Sequence, residues 1–530
     1  SQIAFFEKPY LRFERMLKTW LKSGIRSWPS LRDNLPLWIN HRLPPNKIIS
    51  QKISEATGWD PLLVRKKLMF YAHHQSHAAS AFFASPFSEA GILIMDGVGE
   101  WSTTTIWKGE NNQIKPLLEM KFPDSLGLFY SAFTGYLGFR ILSGEYKLMG
   151  LAAYGKPRFV DLLKKHIIHI DPNGGIRLNT RYLNFLHPAQ AVTKAFSEVL
   201  GFGPKSPEQE LLNEHKDLAA SVQTILEEVI IKLVDTTKKV TGSQNLCLAG
   251  GVALNCRANG RVLNEFPDLN LFVQPASSDS GGSLGAACLA QISQAGDGKN
   301  SAPYRISMDS CYFGPELLDE DIKKALDKFG LKKLRLEDHD LINTVQEFLS
   351  KDQIVAWARG RMEFGPRALG ARSILANPCS ETIKDKINSH IKQREGFRPF
   401  APIVCEEDAS KYFDLNCKSP HMLLAVKVMN RFLPAITHID DTARVQTLRQ
   451  TDNPLLHKLL KLFEKKVGFS VLLNTSFNLR GEPIAASAQD CIKSFLMCRL
   501  DALVLGNYLI LRSELSESML NYQSNDIEAD

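Results

Sequence analysis

The sequence predicts an α/β fold divided into two domains, and three observations support this prediction. At 530 residues the chain is longer than one hydrophobic core usually organises. Two segments, NLCLAGGVALN from residue 245 and LNLFVQPASSDSGGSLGAACLAQI from residue 269, each show a strand, a glycine-containing loop and a helix. A connector, SQAGDGKNSAP at 293–303, precedes a second α/β pattern that starts with QIVAWARG at Gln353. We therefore expect the domain boundary between residues 300 and 340.

Other elements follow from local patterns along the chain. The opening SQIAFFEKP is typical of the end of a strand and starts with Ser1 rather than Met, so we expect a missing segment upstream. Residues 13–38 mix apolar and basic side chains, which favours a surface helix and loop over a membrane anchor. GILIMDGVGEWSTTTIWKGENNQI at 91–114 predicts a β-hairpin or meander. FSVLLNTSF and DALVLGNYLILR predict closing strands, and residues 514–530 form a polar tail.

The composition limits the classes of function. Hydrophobic residues make up 44% and charged residues 23% of the chain, which is ordinary for a globular protein. A net charge of +7 over 530 residues does not by itself indicate a nucleic-acid partner. The nine cysteines never form a CxxC pair, which favours a reduced, cytoplasmic protein. No apolar run approaches the roughly 20 residues of a membrane span, so we expect no membrane partner.

A histidine pair is the first candidate site. His73 and His77 lie four residues apart, which places both on one face if the segment is helical. His74 stands where the HExxH motif needs glutamate, so a zincin site is excluded. Such a pair is more often structural, but Asp96 follows the strand GILIM and Asp279 lies in the loop SSDSGGS. Two imidazoles and two carboxylates suit Fe, Zn or Mn rather than Ca. Asp279 is also placed to cap the following helix.

Two further segments in the first half carry candidate binding residues. Gly250 and Gly251, followed by Asn255, let the backbone approach a ligand closely, and a tight turn explains them equally well. With SDSGGSLG nearby they favour a nucleotide, although neither a Walker motif nor GxGxxG is present. Glu145 and Lys147 in SGEYKLMGLA suit a phosphate or a substrate hydroxyl, or equally a surface ion pair.

The second half is rich in arginine over a short stretch. Six arginines lie there: Arg359, Arg361, Arg367, Arg372, Arg394 and Arg398. Few acidic residues separate them, which favours an anion-binding pocket over a solvated face, while the aromatic or lysine-rich interleaving of a nucleic-acid surface is thin. Asn474, Ser476 and Asn478 at a strand end offer neutral donors for a carbamoyl group, or simply close the strand as a polar turn.

Together these motifs resemble a known family. HHQSHAASAF, MDGVGEWSTT, GEYKLMGLAAYGKP, GGVALN, SDSGG, GRMEFGPRALGARSIL, FRPFAP and NTSFN are similar to the NodU/TobZ carbamoyltransferases, over residues 1 to about 510. The resemblance implies an actin-like (ASKHA) domain at 1–335, a YrdC-like α/β domain at 336–515 and a polar tail at 516–530. It also implies that carbamoyl phosphate and ATP give carbamoyl adenylate and pyrophosphate in the second domain. In the first domain, the hydroxyl of a sugar or other natural product would then take the carbamoyl group and release AMP.

The resemblance also implies residue roles. The metal, with Fe(II) as the expected ion, would be held by His73, His77, Asp96 and Asp279. The adenylate site would comprise Gly250, Gly251, Asn255, Glu145 and Lys147. Carbamoyl phosphate would be held by Arg367, Arg398, Asn474, Ser476 and Asn478. Lys147, Glu145 and Arg367 are the expected catalytic residues.

Two departures from the family pattern bear on activity. Family members carry an HDSAA-like segment whose histidine would act as general base, and no part of this sequence matches it. Ala358 and Arg359 stand where family members more often have Phe-Gln. The alternatives that stay open are a non-catalytic binding homologue and a tRNA-modifying threonylcarbamoyl-type transferase, the latter disfavoured because we expect no nucleic-acid partner.

Overall fold

The computed structural model describes residues 2–185, 191–294, 304–308, 310–392, 394–429, 432–520 and 522. The chain forms two compact units, Ser1–Met308 and Asp309–Asp530. The border falls within the predicted range of 300–340, and it lies upstream of residue 335 because the short strand Leu334–Arg335 pairs within the sheet of the second unit. Most of the predicted connector at 293–303, and most of the tail at 516–530, lie outside the described residues.

The first unit is a mixed α/β structure in which four helices follow the first strand. Its strands are β1 (Ile3–Phe5), β2 (Leu68–Phe70), β3 (Glu89–Met95), β4 (Ser102–Glu110), β5 (Gln113–Lys121), β6 (Ile168–Ile170), β7 (Ile176–Leu178), β8 (Asn245–Ala249) and β9 (Asn270–Val273). Its helices are α1 (Pro9–Ser23), α2 (Trp28–His41), α3 (Pro45–Thr57), α4 (Pro61–Lys67), α5 (His73–Phe82), α6 (Leu126–Tyr136), α7 (Glu145–Leu151), α8 (Val160–His166), α9 (Lys194–Leu200), α10 (Asn213–Thr241), α11 (Cys256–Glu265) and α12 (Asp279–Gln294).

The main sheet of the first unit has, among the described residues, the strand order β5-β4-β3-β8-β9. β3, β8 and β9 are parallel, whereas β4 and β5 continue from β3 as an antiparallel meander. The predicted meander and both predicted strand-loop-helix segments are therefore confirmed. Helices α5 and α10 both pack on β3, and residues 90–95 of the strand are buried. The buried part of β3 is apolar without interruption, and Asp96, the first polar residue after it, marks the end of the strand.

Helices α1 to α4 lie in the chain between β1 and β2, which pair in parallel with Ile3 opposite Leu68. β1 packs against α12. The structure has the helices α1 and α2 where the sequence predicted a surface helix and loop. None of the helices in the described ranges combines the length and apolarity that crossing a membrane requires.

The second unit is a mixed α/β structure. Its strands are β10 (Leu334–Arg335), β11 (Val355–Ala358), β12 (Arg372–Ala376), β13 (Ala401–Cys405), β14 (Ala425–Lys427), β15 (Thr442–Arg444), β16 (Gln446–Leu448), β17 (Val471–Ser476), β18 (Ala502–Leu505) and β19 (Tyr508–Leu511). Its helices are α13 (Asp319–Lys328), α14 (Asp338–Ser350), α15 (Glu381–Lys386), α16 (Ala409–Tyr412), α17 (Pro454–Val467), α18 (Ala488–Met497) and α19 (Glu517–Leu520), with a π-helix at Ile387–Ile391.

The main sheet of this unit has, in the part of the chain that the structure describes, the order β10-β19-β18-β11-β12-β17-β13-β16. The strands predicted from QIVAWARG, FSVLLNTSF and DALVLGNYLILR are confirmed as β11, β17 and the pair β18–β19. β17 lies between β12 and β13 and is antiparallel to both, so Asn474 is opposite Leu375 on one side and Ala401 on the other. Ser476 is the last residue of β17.

Candidate functional site

The histidine pair lies on one buried helix, as its spacing predicted. Helix α5 begins at His73, and both His73 and His77 are buried. The helix lacks a side-chain cap from its preceding residue, Ala72. Instead, the buried carboxylate of Glu100 accepts hydrogen bonds from the His73 backbone N–H, at 3.0 and 3.1 Å, and from the Lys8 backbone N–H, at 2.8 Å. A carboxylate at a helix N-terminus accepts hydrogen bonds from backbone N–H groups that have no partner within the helix. Its negative charge also interacts favourably with the positive end of the helix dipole.

Four donor side chains converge at this point of the first unit. His73 Nε2 lies 3.1 Å from Asp96 Oδ2 and 3.1 Å from His77 Nε2. Asp279, the first residue of α12, brings Oδ1 to 3.5 Å from His73 Nε2 and 3.7 Å from His77 Nε2. One ligand atom from each of the four residues lies within 4.8 Å of all the others. The structure therefore brings together all four residues that the sequence predicted as metal ligands.

Close backbone contacts at glycines fix this geometry. A Cβ added at Gly285 of α12 would lie 1.8 Å from the Ser76 carbonyl oxygen, so α12 packs on α5 with no room for a side chain. A Cβ at Gly250, which has φ of +88°, would lie 2.2 Å from the Met95 carbonyl oxygen. That approach lets the Gly251 N–H donate to Asp96 Oδ1 at 3.2 Å. The paired glycines thus position a backbone N–H that binds the Asp96 carboxylate. A tight turn, the alternative role predicted for these glycines, would not by itself require this contact.

The electrostatics of the cluster indicate a site for positive charge. Burial lowers the pKa of His73, but hydrogen bonds to Asp279 and Asp96 outweigh it and raise the pKa to about 10. Burial raises the pKa of Asp96, yet its hydrogen bond with His73 and the nearby imidazoles hold that pKa well below the usual range. Hydrogen bonds with His73 and His77 likewise lower the pKa of Asp279. Both carboxylates are therefore ionised and available to a cation.

His74 has a different environment. Burial lowers its pKa to about 3, so the ring is neutral, and its Nδ1 lies 2.9 Å from Thr105 Oγ1. Nδ1 of His73 and of His77 is buried without a hydrogen-bond partner among the described residues. The rings are therefore oriented by packing, with Phe6 at 5.7 Å from His73 between ring centroids, and both Nε2 atoms face the carboxylates. Two imidazole nitrogens and two carboxylate oxygens suit Fe, Zn or Mn, so the residues fit a divalent cation.

The predicted adenylate residues show several local contacts. Glu145 Oε1 accepts from Ser131 Oγ at 2.7 Å and from the Leu142 N–H at 2.9 Å. Lys147 lies over the Phe139 ring, with Nζ 5.9 Å from the centroid.

Asn255 is buried and caps α11. Its Oδ1 accepts from the Ala258 N–H at 3.0 Å, and its side-chain amide exchanges two 3.0 Å hydrogen bonds with Gln223. These contacts give Asn255 a structural role, and its predicted role in binding adenylate stays a prediction.

In the second unit a buried lysine joins two of the predicted residues. Lys392 Nζ donates to the Asn478 Oδ1 at 2.7 Å, to the Asn478 carbonyl at 3.0 Å and to the Ser476 carbonyl. Burial and then the charges of Arg394 and Arg398 lower the pKa of Lys392 to about 7. Sequence reasoning missed Lys392, although it lies two residues before Arg394 in HIKQREGFRPF.

Whereas Ser476 and Asn478 contact Lys392, Asn474 binds groups of a nearby strand and loop. It is buried, and its Nδ2 donates to Gln446 Oε1 at 2.8 Å and to the Ala368 carbonyl at 3.3 Å.

The six arginines do not form one pocket. Arg372 is fully buried and donates to the carbonyls of Arg359 and Gly360 at 3.1 and 3.2 Å. Arg359 pairs with Asp338 at 2.9 Å, and Arg361 donates to the Phe313 carbonyl at 3.1 Å. These three guanidinium groups stabilise the loops around β11 and β12, so the interpretation of the whole stretch as one anion pocket is too broad.

The remaining arginines differ in position. Arg394 and Arg398 lie near Lys392, close enough to lower its pKa. Arg394 Nε donates to Asn388 Oδ1 at 2.7 Å, and Arg398 Nη1 lies 3.3 Å from Glu395 Oε2. Arg367 lies half-buried in the loop between β11 and β12. The positive charges that lie near the buried Lys392 are therefore those of Arg394 and Arg398.

Comparisons with known proteins agree across both units. Residues 1–288 match the family model described as carbamoyltransferase N-terminus, and residues 346–512 match the model described as carbamoyltransferase C-terminus. The uncharacterized protein sll1178 of Synechocystis sp. is 41% identical over 536 residues, which cover 96% of this chain and 87% of that protein. The nodulation protein NolNO of Sinorhizobium fredii is 40% identical over 452 residues, covering 84% of this chain and 64% of that protein. The 3'-hydroxymethylcephem-O-carbamoyltransferase of Amycolatopsis lactamdurans is 29% identical over 472 residues, covering 87% of this chain and 84% of that enzyme.

Proposed function

Because this chain belongs to the carbamoyltransferase family, we propose that it forms carbamoyl adenylate and transfers the carbamoyl group to a hydroxyl of a small molecule. Membership of the family makes the protein a transferase enzyme and favours this activity over the non-catalytic binding homologue. We assign adenylate formation to a YrdC-like fold in the second unit and transfer to an actin-like fold in the first. The relative whose name specifies O-carbamoyl transfer supports a hydroxyl as the acceptor.

Adenylate formation consumes carbamoyl phosphate, ATP and water. Release of phosphate from carbamoyl phosphate leaves a carbamate oxygen, which attacks the α-phosphorus of ATP, and pyrophosphate departs. Lys392, Arg394 and Arg398 supply the positive charge that phosphate oxygens need, and Arg367 is the further arginine that we assign to this step. The hydrogen bonds from Lys392 to Asn478 and Ser476 hold the ammonium at the end of β17.

Transfer takes place, in this proposal, beside His73, His77, Asp96 and Asp279. The acceptor oxygen forms a bond to the carbamoyl carbon, the bond between that carbon and the adenylate oxygen breaks, AMP departs and the proton of the acceptor hydroxyl passes to solvent. A divalent cation held by the four residues would neutralise phosphate charge and polarise the carbamoyl carbonyl. We assign Gly250 and Gly251, which pack beside Asp96, to the adenylate site, and Glu145 and Lys147 to the adenylate phosphate and the acceptor hydroxyl.

The single observation that carries this proposal is the convergence of two imidazoles and two carboxylates within 4.8 Å, drawn from α5, the end of β3 and the start of α12. Each residue comes from a motif that resembles the family pattern. A structural histidine pair would not need two ionised carboxylates facing both Nε2 atoms.

The test supplies the full chain with Fe(II), ATP and carbamoyl phosphate, and measures pyrophosphate and carbamoyl adenylate. We expect both products, with carbamate ester and AMP appearing when a hydroxyl acceptor is added. His73→Ala should lower bound metal and transfer, whereas adenylate formation should persist. His169→Ala, with a side chain that is 61% exposed, is the matched control and should change neither. Absence of pyrophosphate release would refute the adenylate mechanism, and unchanged metal content in His73→Ala would refute the metal centre.

A further inference from the structure

A second group of potential metal ligands lies in the second unit, in residues that the carbamoyl chemistry does not use. Cys405, Glu407 and His457 each bring one ligand atom within 4.8 Å of the other two. Cys405 is the last residue of β13, Glu407 lies in the 3-10 turn Glu406–Asp408, and His457 lies in the first turn of α17. The end of one strand and the start of one helix therefore supply a thiol, a carboxylate and an imidazole at one point.

The burial of the three side chains suits a site that opens to solvent on one side. Cys405 is fully buried and His457 is 11% exposed at its side chain, whereas the Glu407 side chain is 51% exposed. His457 Nε2 lies 2.9 Å from Glu407 Oε1, so these two ligand atoms are already in contact. The exposed Glu407 side chain can turn toward an ion without disturbing the packing of β13 and α17.

The surrounding charges leave negative charge for a cation to neutralise. Lys461 Nζ contacts three carboxylates, at 3.2 Å from Glu407, at 3.5 Å from Glu464 and in a shorter bond to Asp408. Asp408 has a second ammonium partner, Lys411, at 2.8 Å. Three carboxylates thus share two ammonium groups. If Glu407 turns to a metal ion, Lys461 keeps Asp408 and Glu464 as partners.

We propose that Cys405, Glu407 and His457 form a binding site for a divalent cation of the zinc class, independent of the centre at His73. Thiolate, imidazole and carboxylate ligands together are typical of zinc, with water completing the tetrahedron. Binding forms a metal–sulfur bond and releases the Cys405 thiol proton to solvent. Ligand atoms roughly 2.0 to 2.3 Å from one ion lie about 3.3 to 3.8 Å apart. A group that already lies within 4.8 Å therefore needs a movement of only about 1 Å to close.

A metal ion bound at this site would link the end of β13, through Cys405, to the start of α17, through His457. β13 pairs with β17, with Ala401 opposite Asn474, and the segment that precedes β13 carries Arg398. An ion at the far end of β13 would therefore stiffen the strand that pairs with Asn474. The ion adds rigidity there and takes no part in the carbamoyl chemistry.

Cobalt(II) distinguishes this site from the centre at His73. A thiolate bound to Co²⁺ gives a charge-transfer absorption in the near ultraviolet, and the His73 centre contains no cysteine. Titration of the full chain with Co²⁺ alone should produce this absorption, with a final intensity that corresponds to about one thiolate-bound ion per chain. His73→Ala should retain the band, because that variant removes a ligand of the other centre only.

Three variants decide the assignment. Cys405→Ala should lose the band, while Cys417→Ala, which removes an exposed cysteine outside the group, should keep it. Glu407→Gln should weaken Co²⁺ binding roughly tenfold or more, and because this side chain is exposed, the substitution leaves the packing of the fold unchanged. A band of unchanged intensity in Cys405→Ala, or a wild-type chain that shows no thiolate band, would overturn the proposal.

Discussion

Replacing Gly285 by alanine tests how the first metal centre is assembled. Gly285 lies on α12, six residues after Asp279, and a Cβ at this position would lie 1.8 Å from the Ser76 carbonyl oxygen of α5. The Ser80 backbone nitrogen would lie 2.7 Å away. Neither atom belongs to a flexible side chain, so relief requires α12 to move away from α5. Because Asp279 is on α12 and both histidines are on α5, that movement separates the ligands.

Two opposing effects set the magnitude. Alanine is favoured over glycine within a helix by about 1 kcal/mol. Overpacking of a tight interface usually costs about 1 to 3 kcal/mol, and contact with a rigid backbone carbonyl lies at the upper end of that range. The overlap therefore wins, and we expect Gly285→Ala to lower the free energy of unfolding by about 2 kcal/mol. A displacement of about 1 Å in one ligand should also weaken metal binding by roughly tenfold or more.

Urea denaturation and metal titration measure the two effects separately. The control is Gly203→Ala, because a Cβ at Gly203 meets nothing within 4 Å and its φ lies outside the left-handed region. We expect the control to match the wild type in metal affinity. If Gly285→Ala were as stable as the wild type and bound metal as tightly, the inference that this helix contact positions Asp279 would be wrong.

Two further predictions concern single polar residues. Glu100→Ala removes the acceptor of the His73 and Lys8 N–H groups, so it should lower the free energy of unfolding by about 3 kcal/mol and weaken metal binding, measured against the exposed control Glu110→Ala. For Lys392 the folded-state pKa is lowered to about 7 from an ordinary value near 10.5, so the unfolded chain holds its proton more tightly. Between these values stability should rise with pH as the cost of burying charge is relieved, while affinity for inorganic phosphate falls because the ammonium is lost. Lys392→Ala should flatten both pH profiles; profiles that keep the wild-type shape would exclude Lys392 as the titrating group.

Local sequence patterns predicted the parts of the site that depend on periodicity and strand ends. The spacing of His73 and His77 requires only that α5 be a helix, and Asp96 follows an unbroken apolar strand. Asp279 is the first residue of α12, and it lies in the polar, glycine-containing segment SDSGG that separates the preceding strand from this helix. These features are encoded within a few residues of each ligand, and a resemblance to family motifs then indicated that they converge.

Tertiary contacts determine what the sequence did not reveal. Glu100 caps α5 only because the turn between β3 and β4 folds back over the helix start. Lys392 differs from its arginine neighbours through its complete burial against Asn478 and Ser476, which no local pattern encodes. The sequence predicts that Arg372 binds an anion, yet its guanidinium donates its hydrogen bonds to carbonyl groups of the neighbouring loop. A sequence pattern alone does not distinguish a charged residue that binds a ligand from one that pairs with the protein itself.

The candidate sites of the two units carry charges of opposite sign. The first contains the carboxylates of Asp96 and Asp279, and the second contains the cationic side chains near Lys392. In the first, burial lowers the pKa of His73, but the carboxylates of Asp279 and Asp96 raise it to about 10, so they hold a proton on that imidazole, which a bound metal cation would replace. In the second, burial lowers the pKa of Lys392, and the nearby positive charges of Arg394 and Arg398 lower it further. Phosphate compounds suit both sites, because their oxygens bind arginine and lysine directly and bind a metal ion where the protein itself is acidic. Carbamoyl phosphate and carbamoyl adenylate, the substrate and the intermediate that we propose, carry such oxygens, so protein cations would bind them in the second unit and a bound metal ion would bind them in the first.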